Sequence, residues 1–471
     1  MTTSALNESF QALHARSRAT LTTPWPLRRQ RLQALRSMLL AQRHAIAAAI
    51  GQDFGQRSVH ETELLEIVPC LQAIDHALAH GQRWMQPQRR ATSFWYQPAR
   101  NQLLPQPLGV IGIVVPWNYP LLLSIAPLVC ALAAGNLAML KLSEDSPAFG
   151  ALLAQWMHST LAPDEVTVIN GDAEVARAFC ALPFDHLLFT GSTATGRAVM
   201  RAASDNLVPV TLELGGKSPA IIGPGADVES AVTRIMSGKL LNAGQTCIAP
   251  DYVLLPRGQE AQFITAARKF VAQCYPALNH ATRQNNSDYT SIINPRHFAR
   301  LQALLDDALA QGASVTPLAT QAADAGSRCL PPLILTSIPA TARIMQEEIF
   351  GPLLPLISYD RLDEAIAMIN ARPRPLALYV FERDQERIDQ VLQHTVAGGV
   401  SINDTLLHIA QNDLPFGGIG ASGMGAYHGE FGFRSLSHMK PVFRQRRLNP
   451  MRWFLPPYGR VFKALMKLLI R

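Results

Sequence analysis

Between residues 103 and 193 the chain repeats one texture: a short apolar run, then a longer stretch with helical spacing. The runs are "GVIGIVV", "NLAMLKL", "EVTVING" and "HLLFTGST". Strands that are apolar on both faces need covering on both, and parallel strands need a crossover of a dozen or more residues. The alternation therefore predicts an α/β fold with a parallel sheet. It resumes after Leu212 with "SPAIIG", a helical span over 227–241, "DYVLLP" and "HFARLQALLDDALAQGA". At 471 residues the chain has the length for two or three cores. Upstream, residues from about 7 to 52 read as helices, with Leu32, Leu35, Met38 and Leu39 at helical spacing, and "ETELLEIVPCLQAIDHALAHGQRWM" reads as another.

Composition narrows the class. Apolar residues are 48% and charged residues 16%, which suits a globular chain. The six cysteines are scattered, with no C-x-x-C pair, so no disulfide framework or metal site is expected and a reduced, cytoplasmic setting is. The N-terminus lacks a signal-type apolar core. The longest apolar run, 121–134, is too short to span a bilayer and reads as a buried helix. Of 42 basic residues, eight fall in 444–471, where there is no acid; the rest of the chain carries 34 basic and 35 acidic residues. A near-neutral body with a basic tail gives no nucleic-acid footprint.

Five stretches carry candidate chemistry. "NAGQTCIAPDY" sets Cys247 among small and polar residues, as a nucleophile or as one more buried thiol. "FTGSTATGRAVM" is a strand ending near Phe189 and a helix starting near Ala194. It puts Gly191, Ser192 and Gly196 in the turn, either to receive a phosphate or simply to cap a helix. It is not a G-x-G-x-x-G fingerprint. In "VPWNYP", Asn118 ends a strand, where its carboxamide can face an oxyanion or turn the chain. In "MLKLSEDSP", Lys141 and Glu144 suit ribose hydroxyls or a solvated strand end. In "VTLELGGKSPAIIG", Glu213 interrupts an apolar stretch, as a base of raised pKa or as an edge-strand carboxylate.

Read in order, "PWNYP", "LKLSE", "FTGST", "LELGGKSP", "GQTC", "EEIFGP" and "LPFGGIGASGMG" resemble the NAD(P)-dependent aldehyde dehydrogenase superfamily, over about residues 12–443. "PWNYP" and "APDYVL" are most similar to the class 3 branch. "GQTCIAPDYVLLP", "SINDTLLHIAQNDLPFGG" and "SHMKPVF" resemble the bacterial coniferyl aldehyde dehydrogenases within it. One departure is "LKLSE", where much of the superfamily has a proline in place of Leu142.

The resemblance implies two Rossmann-like parallel-sheet domains plus a small β oligomerisation arm, assembled as a homodimer. It implies an NAD(P)-binding domain over 1–212, with 85–106 joining the arm, and a catalytic domain over 213–412. Residues 413–443 then return to the bridging region, and a tail covers 444–471. By the same resemblance Cys247 is the nucleophile, Glu213 the general base and Asn118 the oxyanion donor. The cofactor contacts are Trp117, Lys141, Glu144, Gly191, Ser192, Thr193, Gly196, Glu348 and Phe350. Cys247 is then expected to be activated toward thiolate, and the other five cysteines to be core residues. Glu144 would favour the 2′-hydroxyl of NAD over the 2′-phosphate of NADP. Coniferyl aldehyde is the expected substrate and a medium- or long-chain fatty aldehyde the alternative. A non-catalytic binding or structural relative would be expected to lack one of Cys247, Glu213 and Asn118.

The tail "YGRVFKALMKLLIR" reads as an amphipathic helix, with Arg460, Lys463, Lys467 and Arg471 within about 80° on the wheel. It either docks its apolar face on the body or a dimer partner, or lies peripherally on an anionic membrane.

Overall fold

The computed structural model describes residues 3–279, 288–447 and 449–470. Two large sheets and one small one organise them. The first has six strands in the spatial order Gly423–Met424, Val210–Leu214, His186–Gly191, Val110–Val114, Leu137–Lys141, Val166–Ile169. All its pairs are parallel except the short Gly423–Met424 strand. The second runs Ser314–Pro317, Leu333–Thr336, Leu353–Tyr359, Tyr252–Pro256, Pro219–Ile222, Ala377–Phe381, Gly399–Ile402, and only its first pair is antiparallel. The third sheet joins Gln88–Arg90, Arg100–Pro107 and Ser437–Arg444.

The strands expected from the apolar runs are all present. The helix Leu122–Ala134 is buried along its whole length after Leu122, as its unbroken apolar composition requires. The strand at Phe189 runs two residues further than expected, to Gly191. The divide expected between 212 and 213 falls inside the strand Val210–Leu214, because Glu213 and Leu214 still pair in the first sheet. Sheet membership moves that divide to residues 215–218, a four-residue link to the strand Pro219–Ile222 of the second sheet.

The N-terminal helices brace the first sheet. Trp25–Phe54 packs on Pro147–Thr160, and Val68–Trp84 on Leu122–Ala134. Between Val59–Thr62 and Val68–Trp84 lies a π-helical turn, Glu63–Ile67, which shifts the helical register and turns Glu66 fully inward. Its carboxylate accepts the N–H groups of Leu121 (2.8 Å) and Leu122 (3.2 Å). It thereby caps a buried helix whose own N-cap, Leu121, has no capping side chain. Arg57 neutralises it at 2.9 Å, and both side chains are excluded from solvent.

Among the described residues no helix is long and apolar enough to cross a membrane. The six cysteines are free thiols. Four of the five read as core residues are buried, but Cys274 is exposed: it ends the helix Glu260–Cys274 on an outward turn. The tail forms the helix Arg460–Leu469, with none of its residues buried on this chain. Arg471, counted on its basic face, lies outside the described residues.

Candidate active site

Cys247 sits on the crossover between the second-sheet strands Pro219–Ile222 and Tyr252–Pro256, just after the helix Val228–Leu240. Three consecutive left-handed residues, Asn242 (φ 53°), Ala243 (φ 51°) and Gly244 (φ 77°), wind the chain toward it. Such geometry in non-glycine residues costs about 1–3 kcal/mol each and persists only where the surroundings hold it. Here they do. Asn242 Nδ2 donates to Asn118 O (3.0 Å) and Gln245 O (3.1 Å), and its backbone N–H donates to the Glu61 carboxylate (3.2 Å). Gln245 Nε2 reaches Asn242 O and Ser291 O.

Asn118, expected at a strand end, lies in the loop beyond the strand Val110–Val114; it is buried and donates from Nδ2 to Gln245 O at 3.2 Å. That uses one of its two amide protons and leaves the other for a ligand. Its own carbonyl accepts from Arg57 Nη1 at 3.2 Å, so the Arg57–Glu66 pair buttresses this loop.

Glu213 comes from the first sheet and shares an apolar cavity of about 80 Å³ with Cys247. Thr190, Tyr119, Phe416 and Tyr427 also line it. Neither carboxyl oxygen of Glu213 has a hydrogen-bond partner, and burial pushes its pKa well above the ordinary carboxyl range. The edge-strand alternative fails, because Glu213 lies between the strands His186–Gly191 and Gly423–Met424. The Tyr427 hydroxyl is also unpartnered. Leu65, Leu122, Leu406 and Ile409 line both this cavity and an outer groove of about 450 Å³.

Activation of Cys247 departs from expectation. Its thiol pKa is raised, by burial first and then by the carboxylates of Glu348 and Glu213. The backbone N–H groups of Cys247 and Ile248 pull the other way without prevailing. At rest the group is a thiol, because a buried anion beside two acids is disfavoured.

The remaining expected residues spread along the cleft side of both sheets. Lys141 is no solvated strand end. It is buried, and its ammonium donates to Leu142 O (2.6 Å) and Gly171 O (2.8 Å). Glu144 is exposed, and its charge supports the ammonium form of Lys141 against desolvation. The departure at Leu142 has a use: its N–H, which a proline would lack, bonds Ile169 O at 3.0 Å. At the glycine turn, Ser192 caps the helix Thr193–Ser204 by accepting from Thr195 N (3.2 Å), so the capping alternative is realised. Thr193 Oγ1 donates to Ala421 O at 3.1 Å. A Cβ at Gly196 would sit 2.5 Å from Leu214, so this first turn packs tightly on the strand that carries Glu213.

Trp117 and Phe350 meet edge to face, with centroids 5.4 Å apart. Phe350 holds φ 53°. Glu348 lies against Gly215, where a Cβ would stand 2.0 Å from its Oε2. Burial, then Asp251, raise the Glu348 pKa to about 8, against the Gly216 N–H and Arg300. Its Oε1 has no protein partner. A glycine turn at a helix start, buried Lys141 and an unpartnered Glu348 oxygen suit a dinucleotide's phosphates and ribose hydroxyls.

Sequence reasoning missed four supports. Lys217 pairs with Asp251 and donates to Ile344 O (2.7 Å) and Glu347 O (3.0 Å). Asp251 accepts from Ile349 N at 2.9 Å, and Arg300 donates to Glu348 O at 3.1 Å. Together these fix the "EEIFGP" segment. Lys239 is buried, its Nζ unpartnered, and burial lowers its pKa to about 8. Asp251 and Lys217 flank the motifs at "KSP" and "APDY", which was the available signal.

The family model "Aldehyde dehydrogenase family" matches residues 1–442. A probable coniferyl aldehyde dehydrogenase of Pseudomonas aeruginosa is 50% identical over 467 residues, covering 98% of this chain and 96% of that protein. The coniferyl aldehyde dehydrogenase of a Pseudomonas species is 45% identical over 448 residues, covering 94% and 92%. Among solved structures, the substrate-bound state of Staphylococcus aureus AldH superposes with a TM-score of 0.92 at 36% identity, covering 98% of this chain and 99% of that one. The chain belongs to the aldehyde dehydrogenase family and is an NAD(P)-dependent aldehyde dehydrogenase.

Proposed function

We propose that this enzyme oxidises an aromatic aldehyde of the coniferyl type to its carboxylic acid, with Cys247 as nucleophile, Glu213 as base and Asn118 as oxyanion donor. The observation that carries this reading is one apolar cavity holding both a thiol and an unpartnered carboxyl.

Sulfur attacks the carbonyl carbon, and the thiol proton passes to a base. Glu348 and Glu213 both lie near enough to act on the charge of the thiol. The resulting thiohemiacetal oxyanion is met by the free Asn118 amide proton and the Cys247 N–H; one such donor is typically worth about 10²–10³ in rate. A nicotinamide cofactor held by Glu348, Phe350 and Trp117 would supply hydride acceptance from this carbon. A thioester remains on Cys247. Glu213, desolvated and so basic near neutral pH, takes a proton from water as that water attacks, and the acid departs.

Lys141, Glu144, Trp117, the 191–196 turn, Glu348 and Phe350 hold the cofactor in this reading. NAD is preferred to NADP, because Glu144 repels the 2′-phosphate. The three-stranded sheet forms the arm of a homodimer. Aromatic walls and the unpartnered Tyr427 hydroxyl favour a substituted aromatic aldehyde, in line with the relatives named for coniferyl aldehyde. The outer groove, walled by Leu65, Val68, Leu406 and Leu407, favours a fatty aldehyde as the second reading.

The test is kcat/KM for coniferyl aldehyde, cinnamaldehyde, benzaldehyde, hexanal and hexadecanal, each with NAD and NADP. The reading expects the aromatic aldehydes to lead; hexadecanal in first place would replace it with the second.

A further inference from the structure

The reaction leaves residues 444–471 without a role, yet they hold eight basic residues and no acid. Trp453, Leu455 and Tyr458 lead into the final helix and are 48%, 63% and 57% exposed. The Phe462 ring ties Arg460–Leu469 to this lead-in, 4.6 Å from Tyr458 and 6.3 Å from Phe454. On the rest of the apolar side Leu465 and Met466 are half-buried, while Val461, Leu468 and Ile470 are largely exposed. Arg460, Lys463 and Lys467 fall within about 60° of one another at 100° per residue. The helix thus carries a cationic stripe on an apolar cylinder.

We propose that this helix lies on the surface of a bilayer containing anionic lipid, with its apolar face at the headgroup boundary and its basic stripe toward the phosphates. Charge selects this occupant. A second copy seated on the same face would bring two acid-free basic tails together. The remainder of the chain, with 34 basic and 35 acidic residues, gives no general acidic excess to receive the tail. A ten-residue helix is about 15 Å long, roughly half of a hydrocarbon core, so it lies on the membrane rather than spanning it. The inference does not depend on which aldehyde is oxidised.

The experiment is co-sedimentation of the full-length enzyme with vesicles of phosphatidylcholine alone or mixed with phosphatidylglycerol. Pelleting is expected only with the mixed vesicles in dilute buffer. It should fall at least ~10-fold near 1 M salt, where the screening length shrinks to ~3 Å. Truncation before Tyr458, and the triple variant Arg460→Glu/Lys463→Glu/Lys467→Glu, should both stay in the supernatant with kcat unchanged. Full-length enzyme left in the supernatant, or pelleted equally by both vesicle types, overturns the proposal. So does a changed sedimentation coefficient of the triple variant, which assigns the face to a second copy. Loss of kcat on truncation also overturns it, assigning the helix to the substrate entrance.

Discussion

Glu213 and Cys247 face one apolar cavity from different sheets, the first on the strand Val210–Leu214 and the second on a crossover of the seven-stranded sheet. Each is costly to ionise where it stands, because Glu213 is buried with neither oxygen partnered and the half-buried Cys247 faces apolar walls beside two acids. Burial therefore favours the protonated form of each.

Cys247→Ser should lower kcat/KM by roughly 10⁴-fold or more, as removing a nucleophile does in other covalent enzymes. Cofactor binding, followed by tryptophan fluorescence, should persist. Turnover within tenfold of wild type would assign the attack elsewhere.

Glu213→Gln should keep the pre-steady-state burst of reduced cofactor and slow steady turnover by ~10²–10⁴. Equal loss in both phases would make Glu213 the acceptor of the thiol proton as well. In the wild type the acid limb of kcat should lie above the ordinary carboxyl range, since the base is lost as pH falls through a raised pKa. That limb should vanish in the variant.

The same shift has a sign in stability. A carboxyl whose folded pKa exceeds its unfolded value binds its proton more tightly when folded. Its contribution is fully present below the unfolded pKa, ~4.3, and is lost as pH rises through the folded value. Glu213→Gln should therefore raise Tm most at alkaline pH, with the gain fading as pH approaches 4. A Tm gain that is constant with pH would place the ionisation elsewhere.

Breaking the Arg57–Glu66 pair should cost more than removing it. Arg57→Met leaves a buried carboxylate unpaired and should cost about 3–5 kcal/mol, read by urea denaturation. The double variant Arg57→Met/Glu66→Leu should recover part of this. Both should lower kcat, because Arg57 holds the Asn118 carbonyl. Wild-type kcat in a folded Arg57→Met enzyme would separate that pair from catalysis.

Glu144→Gln should raise kcat/KM for NADP relative to NAD by about tenfold, the effect of removing one like charge worth roughly 1.4 kcal/mol. An unchanged ratio would remove Glu144 from the ribose site.

The parts legible in the sequence are those whose local pattern is their cause. Buried parallel strands are apolar along nearly their whole length, so "VIGIV" and "LAML" announce themselves. Cys247 stands out because its neighbours are motif residues. The supports are illegible for the converse reason. "ETELLEIV" holds three glutamates on a helical wheel, and only the π-helical turn decides that Glu66 enters the core. Lys239 looks like a solvated helix residue, yet it is buried. Gly418 to Gly423 spells G-x-G-x-x-G, yet it turns the chain into the strand Gly423–Met424, where a Cβ at Gly423 would strike Leu212 O. Spacing alone does not distinguish a phosphate cradle from a tight crossing of two backbones.

The four residues 215–218 are the short bridge between the strand that bears Glu213 and the sheet whose crossover bears Cys247. The spacing of these two side chains is thus a property of how the two sheets are joined, and of neither sheet alone. Gly215 sits in that link with the Glu348 carboxylate pressed against it, so the length of the link and the placing of the "EEIFGP" segment are set together. One residue inserted there would act as a mis-cut spacer. The strands would keep their own pairings, but Glu213 and Cys247 would fall out of alignment, which should be seen as a hydride burst followed by slowed steady turnover.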